Sequence, residues 1–117
     1  DCVLHLGDYL YEYPVGTYPS PAQILPGRLV EPVTEIVSLA DYRQRHAQYC
    51  RDADLRRLRQ LFPMIAGWDD HESTNDSWAG GAQNHQSETE GPWPVRKAAA
   101  MRAYREWLPV SDQDWAA

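Results

Sequence analysis

The chain opens on Val3-Leu4-His5-Leu6, a short apolar run closed by Gly7, the pattern of a buried strand of the parallel type. Prolines 14, 19, 21, 26 and 32, with Gly16 and Gly27, then punctuate the stretch from Tyr13 to Val33. So dense a run of breakers predicts a long ordered loop, of the kind that wraps a site. From Ser38 onward Leu39, Tyr42, His46 and Tyr49 or Cys50 recur at three- and four-residue spacing, predicting a helix over 39–50. Asp52 suits the N-cap of a second helix, ended by Pro63. Its Leu55, Leu58, Leu61 and Phe62 share one face, and arginines 56, 57 and 59 form a solvated one. Met64-Ile65-Ala66-Gly67-Trp68 reads as a second buried strand. The polar segment from Asp69 to Trp93 predicts loop or short helical turns. Pro94 fits the first turn of a last helix, with Ala98, Met101, Tyr104 and Leu108 as its stripe. The tail from Ser111 to Ala117 carries no pattern.

Two buried strands joined by a helical crossover predict a parallel pair in an α/β sheet. Two strands alone do not cover both faces of such a sheet, so residues 1–117 are expected to form one partial domain of a larger body. Composition narrows the picture. At 117 residues there is room for one domain, and 43% apolar residues suffice for a core. The balance of 17 acidic against 11 basic residues, net −6, argues against specific nucleic-acid binding. No apolar run is long enough for a transmembrane helix. Cys2 and Cys50 form no CxxC, and a bond between them is not expected because Cys2 is placed in a central strand. His5 and His46 lie at apolar positions and read as core histidines, His5 with its ring satisfied. Trp68, Trp78 and Trp93 read as packing.

Both strands end in acid: Gly7-Asp8-Tyr9-Leu10-Tyr11-Glu12 after the first, Trp68-Asp69-Asp70-His71-Glu72 after the second. Open α/β sheets bind ligands outside the carboxyl ends of their strands. Adjacent parallel strands would bring Asp8 to the same edge as Asp69-Asp70-His71. Carboxylates gathered without matching cationic side chains repel one another unless a proton or a cation neutralises them. Oxygen donors beside a phenol suit Ca²⁺, Mn²⁺ or Fe³⁺ better than a thiolate-preferring metal.

The strand-end strings also carry a resemblance. Gly7-Asp8 with Tyr11 resembles the GDxxY motif of binuclear metallophosphoesterases, and Asp69-Asp70-His71-Glu72 resembles their GNH(E/D) motif with Asp-Asp in place of Gly-Asn. LHLGDYLYEY, EIVSLADYRQRHAQY, WDDHESTNDSWAGGAQNHQ and RKAAAMRAYREWLPV together resemble the PhoD-like alkaline phosphatase/phosphodiesterase family over roughly residues 1–110. That resemblance implies a four-layer α/β/β/α sandwich and hydrolysis of phosphate mono- or diesters by a metal-activated water. It implies a centre of two or more ions, Fe³⁺ with Ca²⁺, or with Mn²⁺ or Zn²⁺. Asp8 matches the bridging carboxylate and Tyr11 the iron-binding phenolate. Asp70 stands in the place of an asparagine that binds the second metal, and His71 matches the histidine that meets the phosphoryl oxygens or leaving group. Asp69, Asn75 and His85 fall where residues order the site or touch substrate. Export to the periplasm or cell exterior is implied as well. The family's first motif, an N-terminal D-x-H ahead of GDxxY, and its later V-x-x-H and G-H-x-H motifs are not found at those places in this sequence. The chain is therefore expected to be the middle of a catalytic domain, inactive alone and lacking that domain's N- and C-terminal parts. From the residues alone, the competing expectation is a non-catalytic α/β piece that binds a cation such as Ca²⁺ weakly at most, or nothing.

Overall fold

The computed structural model describes residues 1–111, and the last six residues of the unpatterned tail lie outside the described residues. Strand β1 (Val3–His5) and strand β2 (Met64–Ala66) pair in parallel, with Leu4 opposite Ile65. Both are shorter than the apolar runs that announce them: Leu6, Gly67 and Trp68 lie outside the strands, although the Gly67 N–H still donates across to the His5 carbonyl at 2.8 Å.

The crossover consists of α1 (Leu39–Cys50) and α2 (Ala53–Leu61). Helix α1 starts in a capping box: the Ser38 hydroxyl accepts from the Asp41 N–H at 3.3 Å, and the Asp41 carboxylate accepts from the Ser38 N–H at 2.8 Å. Asp52 caps α2 by accepting from the N–H groups of Asp54 and Leu55 at 3.0 and 2.9 Å. No residue of α2 is fully buried: of the predicted apolar face Leu55 packs against the core, while Leu58, Leu61 and Phe62 stand exposed. On the opposite face Arg56 and Arg57 are exposed, whereas Arg59 leaves solvent to donate to the Tyr9 hydroxyl at 2.8 Å.

The segment read as irregular holds a short hairpin, β3 (Ser77–Trp78) with β4 (Gly81–Ala82), and one turn of helix, α3 (Ser87–Glu90). Helix α4 (Trp93–Trp107) packs on α1, with Tyr104 and Leu108 of the predicted stripe in the core and the rest of the buried stripe made by other positions. Its buried positions are Trp93, Arg96, Ala100, Ala103 and Tyr104, while Ala98 is exposed. Arg96 faces inward. Its guanidinium donates to Glu35 and Glu90, to the Ile36 and Asn84 carbonyls and to the Tyr42 hydroxyl, so a buried charge is fully paired. The core is Tyr9, Leu10, Ile36, Tyr42, Ala100, Ala103, Tyr104 and Leu108.

The proline-rich segment is an ordered loop with one 3₁₀ turn, Pro21–Gln23. Its ends meet where Val15 N–H donates to the Val33 carbonyl at 2.8 Å and Ile36 N–H to the Glu12 carbonyl at 3.0 Å. Arg45, wholly buried on α1, donates to the carbonyls of Tyr11, Tyr13, Glu31, Pro32 and Thr34 and so ties both limbs of the loop to the core. Two expectations are corrected. His5 Nδ1 is buried without a partner, so this histidine is not satisfied, and its ring stands edge-on to Tyr9. Cys2 is exposed, because it precedes the strand instead of lying in it; both cysteines are free.

Candidate metal centre at the strand ends

The two strand ends touch. Gly7 has φ +117°, and a Cβ placed there would lie 2.5 Å from the Asp69 Cβ, so only glycine fits the approach. The next residue, Asp8, is held in the left-handed region at φ +52°, at a cost of about 1 kcal/mol for a residue with a side chain. Such a conformation persists only where the surroundings fix it. Glu72 supplies that fixing. Fully buried, its carboxylate accepts from the Tyr9 N–H at 2.5 Å and from the Asp69 N–H at 2.6 Å, locking the turn after β1 to the turn after β2. Burial, outweighing the bonds from the Asp69 and Tyr9 amides, pushes the Glu72 carboxyl above its ordinary value.

With the turns locked, Asp8, Asp70 and His71 each present one ligand atom, and these atoms all lie within 4.8 Å of one another. The Tyr11 hydroxyl donates to Asp8 Oδ2 at 3.2 Å, while Asp8 Oδ1 is buried without a partner. An orphaned, buried carboxylate oxygen is costly in a protein unless something absent from the polypeptide pays its coordination. Two carboxylates, an imidazole and a phenol are donors that a hard or borderline cation accepts, so the residues fit the implied metal. Asp70 is oriented by the backbone N–H of Asp76, itself at φ +50°, which bonds its Oδ2.

His71 is positioned by a second buried acid. Glu12, wholly inaccessible, meets His71 Nδ1 at 2.7 Å and accepts from the Thr74 hydroxyl, the Asn75 N–H and the Asn84 amide at 2.9, 2.7 and 2.9 Å. Burial pushes the Glu12 carboxyl up, but the hydrogen bonds from Asn84, His71 and Asn75 outweigh it and hold the group below its ordinary value. Burial likewise works against the charged form of His71, and the bond to Glu12 with the charges of Glu12, Asp70 and Asp8 overcomes it, raising the imidazole. The bond through Nδ1 leaves Nε2 as the ring's free nitrogen. Tyr11 is pushed up to about 12, by burial first and then by the neighbouring Asp8 carboxylate. Around these groups the rings pack: Tyr11 lies tilted 4.3 Å from His71 and 4.8 Å from Tyr18, and Tyr13 stands edge-on to His71 at 5.5 Å.

Of the residues singled out in the sequence, the structure brings Asp8, Tyr11, Asp70 and His71 together. Asp69 stays at the strand junction, where its Oδ1 accepts from the Asp70 N–H at 2.9 Å. Asn75 spends its side-chain amide on Gln83 at 2.8 Å and its N–H on Glu12. His85 lies in a separate network with the Gly91 carbonyl, Glu90 and Arg96, against the Trp93 ring. The reading of the sequence missed Glu12, Glu72 and Arg45 as organisers. Glu12 and Glu72 sit within the two acidic strings, but the partners of Glu12 are 59 to 72 residues away and Glu72 joins the two turns only through Tyr9, 63 residues away, so no local pattern exposes them.

A carboxylate and imidazole cluster at the carboxyl ends of a parallel strand pair defines an α/β protein with a candidate metal centre. The chain belongs to the PhoD-like phosphatase family, whose model matches residues 1–117. It is 40% identical over 111 residues to alkaline phosphatase D of Bacillus subtilis (strain 168), a match covering 94% of this chain and 18% of that protein. The solved structure of PhoD aligns with a TM-score of 0.72 at 35% identity, over 96% of this chain and 20% of that one. The chain thus spans about a fifth of the length of these relatives.

Proposed function

We propose that the chain is the middle portion of a catalytic domain that hydrolyses phosphate mono- or diesters with bound metal ions. The observation that carries this is the convergence of Asp8, Asp70 and His71 within 4.8 Å in a chain of the PhoD-like family, with one Asp8 oxygen buried and unpartnered. Asp8, Tyr11 and Asp70 would hold the ions, Fe³⁺ with Ca²⁺ or with Mn²⁺ or Zn²⁺ in their place. When bound, such ions lower the pKa of a water and clamp the phosphoryl oxygens for in-line displacement. The residues do the rest. Glu12 keeps the His71 ring in one orientation with Nε2 free, so that nitrogen meets the phosphoryl or leaving oxygen. The rings of Tyr11 and Tyr13 wall the histidine on two sides and limit access of bulk water.

The larger domain has support in the sheet itself. Leu4, Leu6 and Ile65 are 63%, 79% and 57% exposed on one face of a strand pair, a face that further layers of a four-layer sandwich would cover. Among the described residues no helix is long and apolar enough to cross a membrane, and the reading includes export of the whole protein to the periplasm or cell exterior. The test is turnover of p-nitrophenyl phosphate and bis-p-nitrophenyl phosphate by the full-length protein. Asp8→Asn is expected to lower kcat by at least about 100-fold, since the bridging charge is lost. Full turnover in Asp8→Asn, or none in the metal-loaded wild type, contradicts the proposal.

A further inference from the structure

Tyr13 is a half-buried phenol held beside His71. Its backbone is fixed by Arg45, whose Nη1 donates to the Tyr13 carbonyl at 3.2 Å, and by Pro14 directly after it. Its ring is fixed edge-on to His71, 5.5 Å between centroids at an interplanar angle of 63°. Its hydroxyl makes no hydrogen bond among the described residues, although the phenol lies in the field of Glu12, Asp70 and Asp76. Tyr11, Thr74 and Ser73 spend their hydroxyls on Asp8, Glu12 and Ser77, and Tyr18, 4.8 Å from Tyr11, is mostly exposed. A phosphoryl group entering this site needs donors, yet the ion pairs of the described arginines go elsewhere, to Asp52, Asp54, Glu31, Glu35, Glu90 and Glu106. A neutral phenol donates one O–H at neutral pH and brings no charge that would compete with a metal.

We propose that Tyr13 is a substrate-contact residue whose phenol donates a hydrogen bond to a non-bridging oxygen of the phosphoryl group. This deepens the phosphoesterase reading and rests on it. The phenol bonds the anion beside the oxygen that His71 meets, so the two side chains hold the phosphoryl group in one orientation. No bond to phosphorus is made or broken by Tyr13.

The experiment is Tyr13→Phe in the full-length protein, which keeps the ring against His71 and removes only the hydroxyl. Three quantities are read: kcat and KM for p-nitrophenyl phosphate, the affinity for inorganic phosphate by calorimetry, and the metal content. Loss of one hydrogen bond to a charged group is expected to weaken phosphate binding and kcat/KM by about 10- to 100-fold. Metal content is expected to stay at the wild-type level. A Tyr13→Phe protein with wild-type phosphate affinity and wild-type kcat/KM overturns the contact while leaving the phosphoesterase reading intact. Loss of metal in Tyr13→Phe overturns it too, since the hydroxyl would then serve the ions. A metal-loaded wild type that neither turns over the ester nor binds phosphate removes the reading on which it rests.

Discussion

His46 shows how one residue ties the fold to pH. It is 1% exposed, stacked between Tyr9 and Trp107, and neither ring nitrogen has a partner. Burial, helped by the charge of Arg59, lowers it to about 4 from 6.5. The folded chain therefore keeps His46 neutral between those values while the unfolded chain takes up a proton. Its contribution is complete above pH 6.5 and is lost as pH falls toward 4, by about 3 kcal/mol at most. Replacing His46 by phenylalanine, which keeps the stacking and removes two unpartnered nitrogens, should flatten that part of the profile. Thermal unfolding of wild type and His46→Phe at pH 7, 6, 5 and 4 checks it. Parallel pH profiles for the two proteins would show that His46 does not titrate as described. At this scale the sequence was informative about Asp8, Tyr11, Asp70 and His71, because each lies in a short string immediately after a strand. It was silent on Glu12, whose role exists only through His71, Thr74, Asn75 and Asn84.

Among the elements, the proline-rich loop depends on α1 through a single side chain. Arg45 is buried with five carbonyls as its acceptors and no carboxylate in contact, an arrangement that needs the planar fork of a guanidinium. Lysine at position 45 brings three donors from one point and leaves carbonyls of both loop limbs unbonded. Arg45→Lys is expected to destabilise the fold by about 3 kcal/mol and to speed proteolytic cleavage between residues 13 and 36 by at least about tenfold. Limited proteolysis with mapped cleavage sites measures this, and an unchanged cleavage rate would refute the role given to Arg45. Buried arginines also explain where element-level reading failed. The boundaries of α1 and α2 were legible from Ser38, Asp52 and Pro63, and so were Tyr104 and Leu108 as core positions, whereas the burial of Arg96 was not. The acceptors that draw it inward come from four separate segments. The β3–β4 hairpin escaped for another reason, since strands of two residues have no periodicity to detect.

For the whole molecule, the parallel pair is the frame: it sets the two acidic turns side by side, and the chain between its strands supplies the loop and helices that hold them. Leu4 and Ile65 stand exposed on one face of that pair, and the chain spans about a fifth of each relative's length. The parallel pairing, and with it the two acidic strand ends at one edge, was legible because two apolar runs flanked a helical crossover; the direct contact of the two turns was not, since it rests on Gly7 against Asp69. Everything proposed about activity depends on that junction holding metal ions. The most direct measurement is elemental analysis of the purified full-length protein beside its Asp8→Asn and Asp70→Asn variants, with circular dichroism to show that all three are folded. The account predicts about two or more metal ions per wild-type chain and the loss of at least one in each folded variant. A wild type that hydrolyses phosphate esters without bound metal, or folded variants that keep the full complement, would contradict it.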